Sequence, residues 1–585
     1  MGNTVLNVTS SVRGQHWVFR SDDEDVLTDY INQHGVDVLT ARLLAGREVP
    51  LDGVTDFLEP KLKHSMPDPY SLMDMEKAVY AILDALEAGK SLAVFADYDV
   101  DGATSAAQLI RWGRHLGYEF GLYIPDRIRE GYGPSEQAFE ILKAQGYDVV
   151  VTLDCGAAAH QALESAVSLG LDIIVIDHHL MEGELPPCKA LVNPNRADDE
   201  SGLGHLAAAG VTFMLLAGLN RELKRRGYKD IPDILSYLGL TALGTVCDVV
   251  ALKGLNRAFV RQGLKVLSSI NNPGVAALSD VAEIEAPYTT YHAGFVLGPR
   301  INAGGRIGQA NMGAELLSTE DTQKAYKHAA ELDRVNAERK AMQTQILVEA
   351  EDASRQKSEA GNVIVTSMTG WHPGIIGIVA GRLKDRFGLP VIVIGVDEDG
   401  IGKGSGRSIK GVNLGAAISE ARNQGLLISG GGHAMAGGLT IEASGITEFE
   451  AFIQEHLSEP VAKARAEQRF TVDCLIRPMA VSPETIGLIE KIGPFGAGNP
   501  EPVFVLDNLF IAYAERLRGG HVRCAFTDSE GARIKGICFN ADSNGLADAL
   551  LSDEKHKVHV AGRMKLNHWN GRTSTDFHVV DLAIA

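Results

Sequence analysis

The stretch Ser91–Gly102, SLAVFADYDVDG, decides the fold, because an apolar run from Leu92 to Ala96 ends in the alternating acids Asp97, Asp99 and Asp101. Two later stretches repeat the design. YDVVVTLDCG carries Val149 to Leu153 into Asp154, and LDIIVIDHH carries Ile173 to Ile176 into Asp177-His178-His179. Short, continuous apolar runs alternating with helical stretches are the pattern of parallel strands buried on both faces. In open parallel sheets, ligands collect at the carboxyl ends of the strands. Carboxylates and imidazoles gathered at such an edge are costly to hold together unless a cation neutralises them. An α/β metalloenzyme is the expectation.

Working outward, MEKAVYAILDALEAGK (Met75–Lys90) has helical apolar spacing and a stop at Gly89. A mainly helical stretch containing IPDILSYLGLTALGTVCDVVAL comes after the strands, so residues 71–313 read as a first domain with helices on both faces of a parallel sheet. Residues 1–70 mix short helical pieces with Pro50, Pro60, Pro67 and Pro69, and read as an N-terminal arm laid over the domain after it. Between Ala314 and Gln356 there is neither Pro nor Gly, while Ala325, Ala329, Leu332, Val335, Met342 and Ile346 recur at helical steps. That spacing predicts a long connecting helix over 314–356. Residues 357–460 restart the α/β pattern, with GNVIVTS and PVIVIGV as strands around the helix GIIGIVAGRLKDRF, and glycine is dense from Gly400 to Gly438. Residues 461–585 turn to short β runs, separated by signals such as Asp528-Ser529-Glu530-Gly531 and the hairpin pair Asn570-Gly571. With one helical stretch, SNGLADALL, among them, these runs predict a small barrel such as the OB-fold, a common platform for single-stranded nucleic acid.

At 585 residues the chain is too long for one core. Its 45% hydrophobic and 22% charged residues are those of a globular protein, and no run reaches the roughly 18 apolar residues of a membrane span. The opening MGNTVLNVTSSVRGQHWVF lacks the basic segment and apolar core of a signal peptide, so a cytoplasmic location is expected. Six scattered cysteines without a CxxC pair fit structural thiols in a reducing compartment. The net charge of -20 argues against coating nucleic acid by overall charge, while leaving room for a local basic channel. That deficit is uneven: residues 461–585 hold 15 Lys+Arg and 15 Asp+Glu, leaving 40 against 60 before them.

A lone DxDxD would read as a solvated acidic turn. Here it stands at a strand end, in an extended segment where alternate side chains share a face, with Asp154 and Asp177-His178-His179 at neighbouring strand ends. Oxygen-rich ligands with one or two imidazoles suit Mn²⁺ or Mg²⁺. The carboxylates exceed what one divalent ion needs, which points to two. Such a pair, about 4 Å apart, supports in-line attack on phosphorus. A phosphodiesterase or phosphatase is the inference.

Together DYDVDG, Asp154, the DHH triplet and LGTVCDVV resemble the DHH phosphoesterase family. WHPGIIGIVAGRL, GSGRS and GGGHAMAGG resemble its DHH-associated domain, and KIGPFGAGNPEPVF resembles the oligonucleotide-binding domain of the family's single-strand-specific exonucleases. The resemblance covers most of the chain. It implies a parallel-sheet DHH domain and a smaller α/β DHH-associated domain joined by the long helix, with an OB-like barrel at the end. It implies that Asp97, Asp99, Asp101, Asp154, His178 and Asp248 hold two ions, that His179 faces the scissile phosphate, and that Asp177 braces the triplet. Spacing alone places Asp248 as a helix cap far from the strand ends. The activity implied is 5′-to-3′ degradation of single-stranded DNA to mononucleotides, in repair and recombination. A monomer is expected, with a helicase and a single-strand-binding protein as partners by family.

A nuclease must also hold its strand. Arg127 and Arg129 beside Tyr132 join charge to an aromatic ring. Arg300, Asn302 and Arg306 are expected on a glycine-rich loop, GPRINAGGRIG, that a phosphate can approach. GKGSGRS offers Ser405, Arg407 and Ser408, with Lys403, as an anion nest, and the family resemblance adds His433. The two α/β units are expected to face each other across a cleft, the metals on one wall and Arg407 and His433 on the other. The first rival is a DHH phosphodiesterase for short RNA or cyclic dinucleotides, which needs neither arm, long helix nor barrel. A catalytically dead scaffold is disfavoured because every expected ligand is present, and a pyrophosphatase because it needs no barrel.

Overall fold

The computed structural model of the chain describes residues 3–585 apart from 128, 129, 132, 182, 270, 553–555, 570 and 571. Two units emerge, one of residues 55–340 with 493–500, the other of residues 1–54 with 341–492 and 501–585.

In the first unit, β1 (Leu92–Ala96), β2 (Gly121–Tyr123), β3 (Val149–Leu153), β4 (Asp172–Ile176) and β5 (Ala190–Val192) form an all-parallel sheet in the order 2-1-3-4-5. Alternate residues feed opposite cores. Val94, Val151 and Ile174 join a large cluster with helices Met75–Glu87, Val100–His115 and Ala208–Arg225, whereas Phe95, Val150 and Ile173 pack with Phe139 and Leu163 on the other face. Burial on both faces is why these strands read as continuous apolar runs. The strand order reverses between β1 and β3, so their carboxyl ends flank the crevice where such sheets bind ligands.

The second unit holds a mixed sheet: β6 (Ile364–Thr369), β7 (Val391–Val396), β8 (Ile401–Arg407), β9 (Ser429–His433) and β10 (Ala436–Glu442), ordered β9-β10-β8-β7-β6. Only β6 and β7 run parallel, joined by helix Pro373–Phe387. Beyond it, β11 (Phe504–Leu517), β12 (His521–Thr527), β13 (Arg533–Cys538), β14 (Lys557–Trp569) and β15 (Arg572–Ile584) close as β11-β12-β13-β15-β14-β11. Helix Ala547–Leu551 lies between β13 and β14, as SNGLADALL predicts, and the closed five-stranded barrel is that of an OB-fold. The Asn570-Gly571 turn lies outside the described residues.

Two expectations change. The arm over 1–70 divides at about residue 54. Its strand His16–Phe19 pairs in parallel with Arg469–Val472, and Trp17 donates from Nε1 to Asp581 at 2.9 Å, so this part belongs with the barrel at the far end of the sequence. Val5, Trp17, Val503, Val505 and Ala583 share one core, and burying a Trp there outweighs staying near in sequence. The expected helix 314–356 is two helices, Met312–Ser318 and Thr322–Ala360. The break has a capping cause: Asp321 accepts from the backbone N–H of Gln323 and Lys324, and its own N–H bonds the Thr319 hydroxyl. The Ser318-Thr319-Glu320-Asp321 run carried that signal.

Candidate metal centre

Each acid reaches the crevice because a strand or helix ends there. Asp97 follows β1 directly and is buried. Asp99 caps helix Val100–His115, its Oδ1 accepting from the N–H of Asp101 (2.8 Å) and Gly102 (3.1 Å), which leaves Oδ2 outside the cap. Asp101, in the first turn of that helix, accepts from the N–H of Ala208 (2.6 Å) and Ala209 (2.9 Å) at the start of helix Ala208–Arg225. Helix N-termini favour an anion at that place. Asp154 follows β3 at φ 63°, a left-handed conformation that Asp tolerates better than most residues. Asp248 is the C-cap of helix Leu238–Cys247.

These ligand atoms converge. Asp97, Asp99 and Asp154 offer oxygens within 4.8 Å of one another, and Asp101, His178 and Asp248 offer ligand atoms equally close. His178 Nε2 lies 3.2 Å from Asp154 Oδ1, 3.6 Å from Asp248 Oδ2 and 3.8 Å from Asp101 Oδ2. Asp154 therefore stands between two groups of ligands. Six residues drawn from three strand ends and a helix end form one centre.

Electrostatics sets the state of each group. Burial, then the neighbouring Asp99, pushes Asp97 up to about 8. Burial and Asp99 likewise push Asp248 up to about 7. Asp101 and Asp154 are raised well above the usual carboxylate range by burial and by the surrounding carboxylates. Burial and the charge of His179 push His178 down to about 4, so it is a neutral imidazole. Asp177 behaves oppositely. Burial alone would raise it, but a hydrogen bond from His179, that ring's charge and the Ala157 N–H hold it at about 2. Asp177 Oδ1 accepts from His179 Nδ1 at 2.7 Å and from the N–H of His178 and His179, while Oδ2 accepts from Ala157. The same pairing overcomes the effect of burial on His179 and lifts it to about 9. Asp177 and His179 are thus an ion pair, and the His179 side chain keeps 42% of its surface exposed.

A divalent cation fits these donors. Among the described residues, Asp97 Oδ1, Asp248 Oδ2 and His178 Nε2 are buried without a hydrogen-bond partner. Orphan acceptors in a cluster of raised carboxylates are costly unless a cation takes them up.

Comparison with known proteins agrees. Residues 91–245 match the family model for the DHH family N-terminal domain, 360–459 the DHHA1 domain, and 472–581 the RecJ OB domain. The single-stranded-DNA-specific exonuclease RecJ of Bacillus subtilis is 33% identical over 577 residues, covering 97% of this chain and 71% of that protein. Its Escherichia coli counterpart is 34% identical over 534 residues, covering 88% and 91%. The chain belongs to the RecJ family. The crystal structure of Thermus thermophilus RecJ in complex with Mn²⁺ superposes with a TM-score of 0.80 at 27% identity, covering 97% of this chain and 79% of that one.

Beyond the metal centre, this RecJ-family chain treats the substrate candidates unevenly. Arg127 lies over the Tyr98 ring, 5.2 Å from its centroid; Arg129 and Tyr132 lie outside the described residues. GPRINAGGRIG is not a loop but helix Gly298–Ile307. Its glycines serve packing, since a Cβ at Gly305 would stand 2.7 Å from Tyr98 O and one at Gly304 2.8 Å from Gln309 O. That contact sets the helix against the DYDVD segment, where burial and then the charge of Arg127 push Arg306 down to about 10. Asn302 is half-buried on the same helix. Arg300 is held by Asp333 (2.9 Å) and Val296 O (2.9 Å).

GKGSGRS is likewise no anion nest. It is strand β8, with its backbone paired to β7 and β10. Its alternate glycines make room, because a Cβ at Gly404 would meet Leu439 at 2.7 Å and one at Gly406 would meet Leu414 at 2.6 Å. Ser405 and Arg407 share the other face, Arg407 Nη1 donating to Ser405 Oγ at 3.1 Å. Ser408 is buried and donates to Val412 O. His433 is exposed at the end of β9.

Three supports escaped the sequence reading. Asn195 Nδ2 donates to His178 O (2.5 Å) and Asn193 Nδ2 to His179 O (2.9 Å), so Asn193-Pro194-Asn195 after β5 fixes the DHH backbone. Polar residues at a fifth strand end were the signal. The third is the turn 493–500, whose Ala497 O accepts from Leu252 N–H at 2.8 Å, a few residues past Asp248. Gly493 O also accepts from Arg257 and Arg261. Nothing in the sequence ties that turn to a segment so far away.

Proposed function

We propose that this chain is a metal-dependent exonuclease that degrades single-stranded DNA from the 5′ end to mononucleotides, acting as a monomer in the cytoplasm beside a helicase and a single-strand-binding protein. The observation that carries the reading is the convergence of Asp97, Asp99, Asp101, Asp154, His178 and Asp248 in two ligand groups, with Asp154 of the first standing 3.2 Å from His178 of the second. The relatives named for single-stranded DNA and the OB barrel at 501–585 support that substrate.

Asp97, Asp99 and Asp154 would hold one divalent ion and Asp101, His178 and Asp248 the other, Mn²⁺ or Mg²⁺. Bound there, the ions supply Lewis acidity toward a phosphodiester and its attacking water. The chain's own residues do the rest. His178, neutral through burial, offers a lone pair rather than a second positive charge. His179, kept protonated by Asp177, presents a cationic imidazole to the phosphate, where negative charge develops. Asp177 orients that ring and stays ionised throughout. Arg127 and Arg306 beside Tyr98, and Ser405, Arg407 and His433 on β8 and β9, are the side chains assigned to the strand.

The test is digestion of single-stranded DNA labelled at one end, with Mn²⁺, Mg²⁺ or chelator. The expected result is immediate, metal-dependent release of labelled mononucleotide from the 5′ label alone, with blunt duplex untouched. Inert DNA together with rapid cleavage of a cyclic dinucleotide or short RNA would replace this reading with the small-substrate one.

A further inference from the structure

The two most exposed aromatic side chains among the described residues are neighbours. Tyr291 is 62% and Phe295 72% exposed, and their rings stack at 5.4 Å between centroids with 21° between planes. Leaving two large apolar rings in water is unfavourable, and such patches mark contact sites. The stack also has a geometry. The two rings lie nearly parallel, Tyr291 also meets the His292 ring at a steep angle with 6.0 Å between centroids, and most of the surface of each side chain still faces solvent.

The place is built rather than incidental. Phe295 lies in a π-helical turn, His292–Leu297, and such insertions are rare and frequent at functional sites. The turn is locked onto the helix whose C-cap is Asp248. Cys247 Sγ donates to Ala293 O at 3.4 Å, a Cβ on Gly298 would stand 2.4 Å from that sulfur, and one on Gly294 would stand 3.4 Å from Val246. The segment carrying the rings therefore crosses the two residues that precede a metal-centre carboxylate. On the other side of Asp248, Val249 adopts φ 63° and is 70% exposed, a further large apolar side chain left in solvent next to a metal-centre carboxylate.

We propose that Tyr291 and Phe295 form a stacking platform for an unpaired nucleobase of the strand engaged at the metal centre. The inference rests on the single-strand nuclease reading and adds to it the residues that grip a base. Stacking asks only for a π-face, so any base serves, and a base must be unpaired to reach it. The platform thereby selects single strands without selecting sequence. A protein partner is the other occupant such a surface can take, and the test separates the two.

The full chain is assayed on single-stranded oligonucleotides of natural sequence, and on the same strands with one abasic site stepped through successive positions from the cleaved end. Tyr291→Ala and Phe295→Ala are each expected to raise KM about tenfold on the natural strand. Tyr291→Phe and Phe295→Tyr, which keep the ring, are expected to restore it. At one position the abasic site should raise the wild-type KM by a similar factor and erase the difference between wild type and the alanine variants. Alanine variants with the wild-type KM overturn the platform, as does a loss shared by the ring-keeping variants. A loss undiminished at every abasic position assigns the rings to something other than a base. A wild-type chain that neither binds nor cuts the natural strand overturns the nuclease reading instead, a result distinct from all of these.

Discussion

In the first α/β sheet the apolar strands stop at Asp97, Asp154 and Asp177, and the polar chemistry begins where the strand ends; in the second, the polar residues Lys403, Ser405 and Arg407 lie within strand β8, between glycines. Packing has no use for three buried carboxylates and a half-buried fourth, raised together by burial and then by one another's charge, so only a ligand accounts for them. Packing fully accounts for Gly402, Gly404 and Gly406, each of which leaves room for a neighbouring Ile or Leu. The contrast teaches which motifs speak for chemistry. Acids at a strand end resist a structural explanation, whereas a glycine-rich run does not. The first sheet should thus carry turnover and the second a smaller share, through side chains alone.

The widest gap between the sheets should appear on substitution of Asp154. Asp154→Asn is expected to lower cleavage by about a thousandfold or more while single-strand binding persists, as read by single-turnover cleavage beside fluorescence anisotropy. Parallel loss of binding and cleavage would show that the fold had failed rather than the chemistry. Asp177→Asn breaks the pairing with His179 without removing a metal ligand, and should cost about 10–100-fold in activity. In the second sheet Arg407→Ala should raise KM about tenfold at most. An effect as deep as that of Asp154→Asn would erase the contrast. Gly404→Ala sharpens it from the other side: its Cβ would meet Leu439 at 2.7 Å, so overpacking should cost about 1–3 kcal/mol in thermal or denaturant unfolding. A Gly404→Ala chain of full stability that binds DNA poorly would instead revive the anion nest.

The smallest effect is on the metal-free chain. Asp97 at about 8 and Asp248 at about 7 hold protons in the folded state that ordinary unfolded carboxylates have released. The stability these two groups provide is complete below about pH 4 and is lost as pH rises through about 7 and 8. Chelated protein should therefore melt lower at about pH 8.5 than at about pH 6, and Mn²⁺ should cancel the difference. A chelated chain whose melting temperature climbs with pH over that range would contradict the raised values.

Much of the fold and site is legible in the sequence, and the reasons are local. Continuous apolar runs announce β1, β3 and β4, the three inner strands of the parallel sheet, and the acids at their ends, while the short edge strands β2 and β5 give no such run; turn signals announce the barrel with its single helix. Asp248 is visible only through family resemblance, since it reaches the centre from a helix end rather than a strand. GPRINAGGRIG misleads because glycine usually signals a loop, while here Gly304 and Gly305 admit close packing beside Tyr98. The arm's return to the barrel, through Trp17 and Asp581, joins residues 564 apart in sequence, a pairing no periodicity announces.

The central claim is that Asp154 joins two ligand groups into one centre, and a Mn²⁺ titration of the full chain tests it most directly. Calorimetry should count two ions per chain, and Asp154→Asn should weaken both. One ion per wild-type chain, or two bound to Asp154→Asn as tightly as before, would contradict the account.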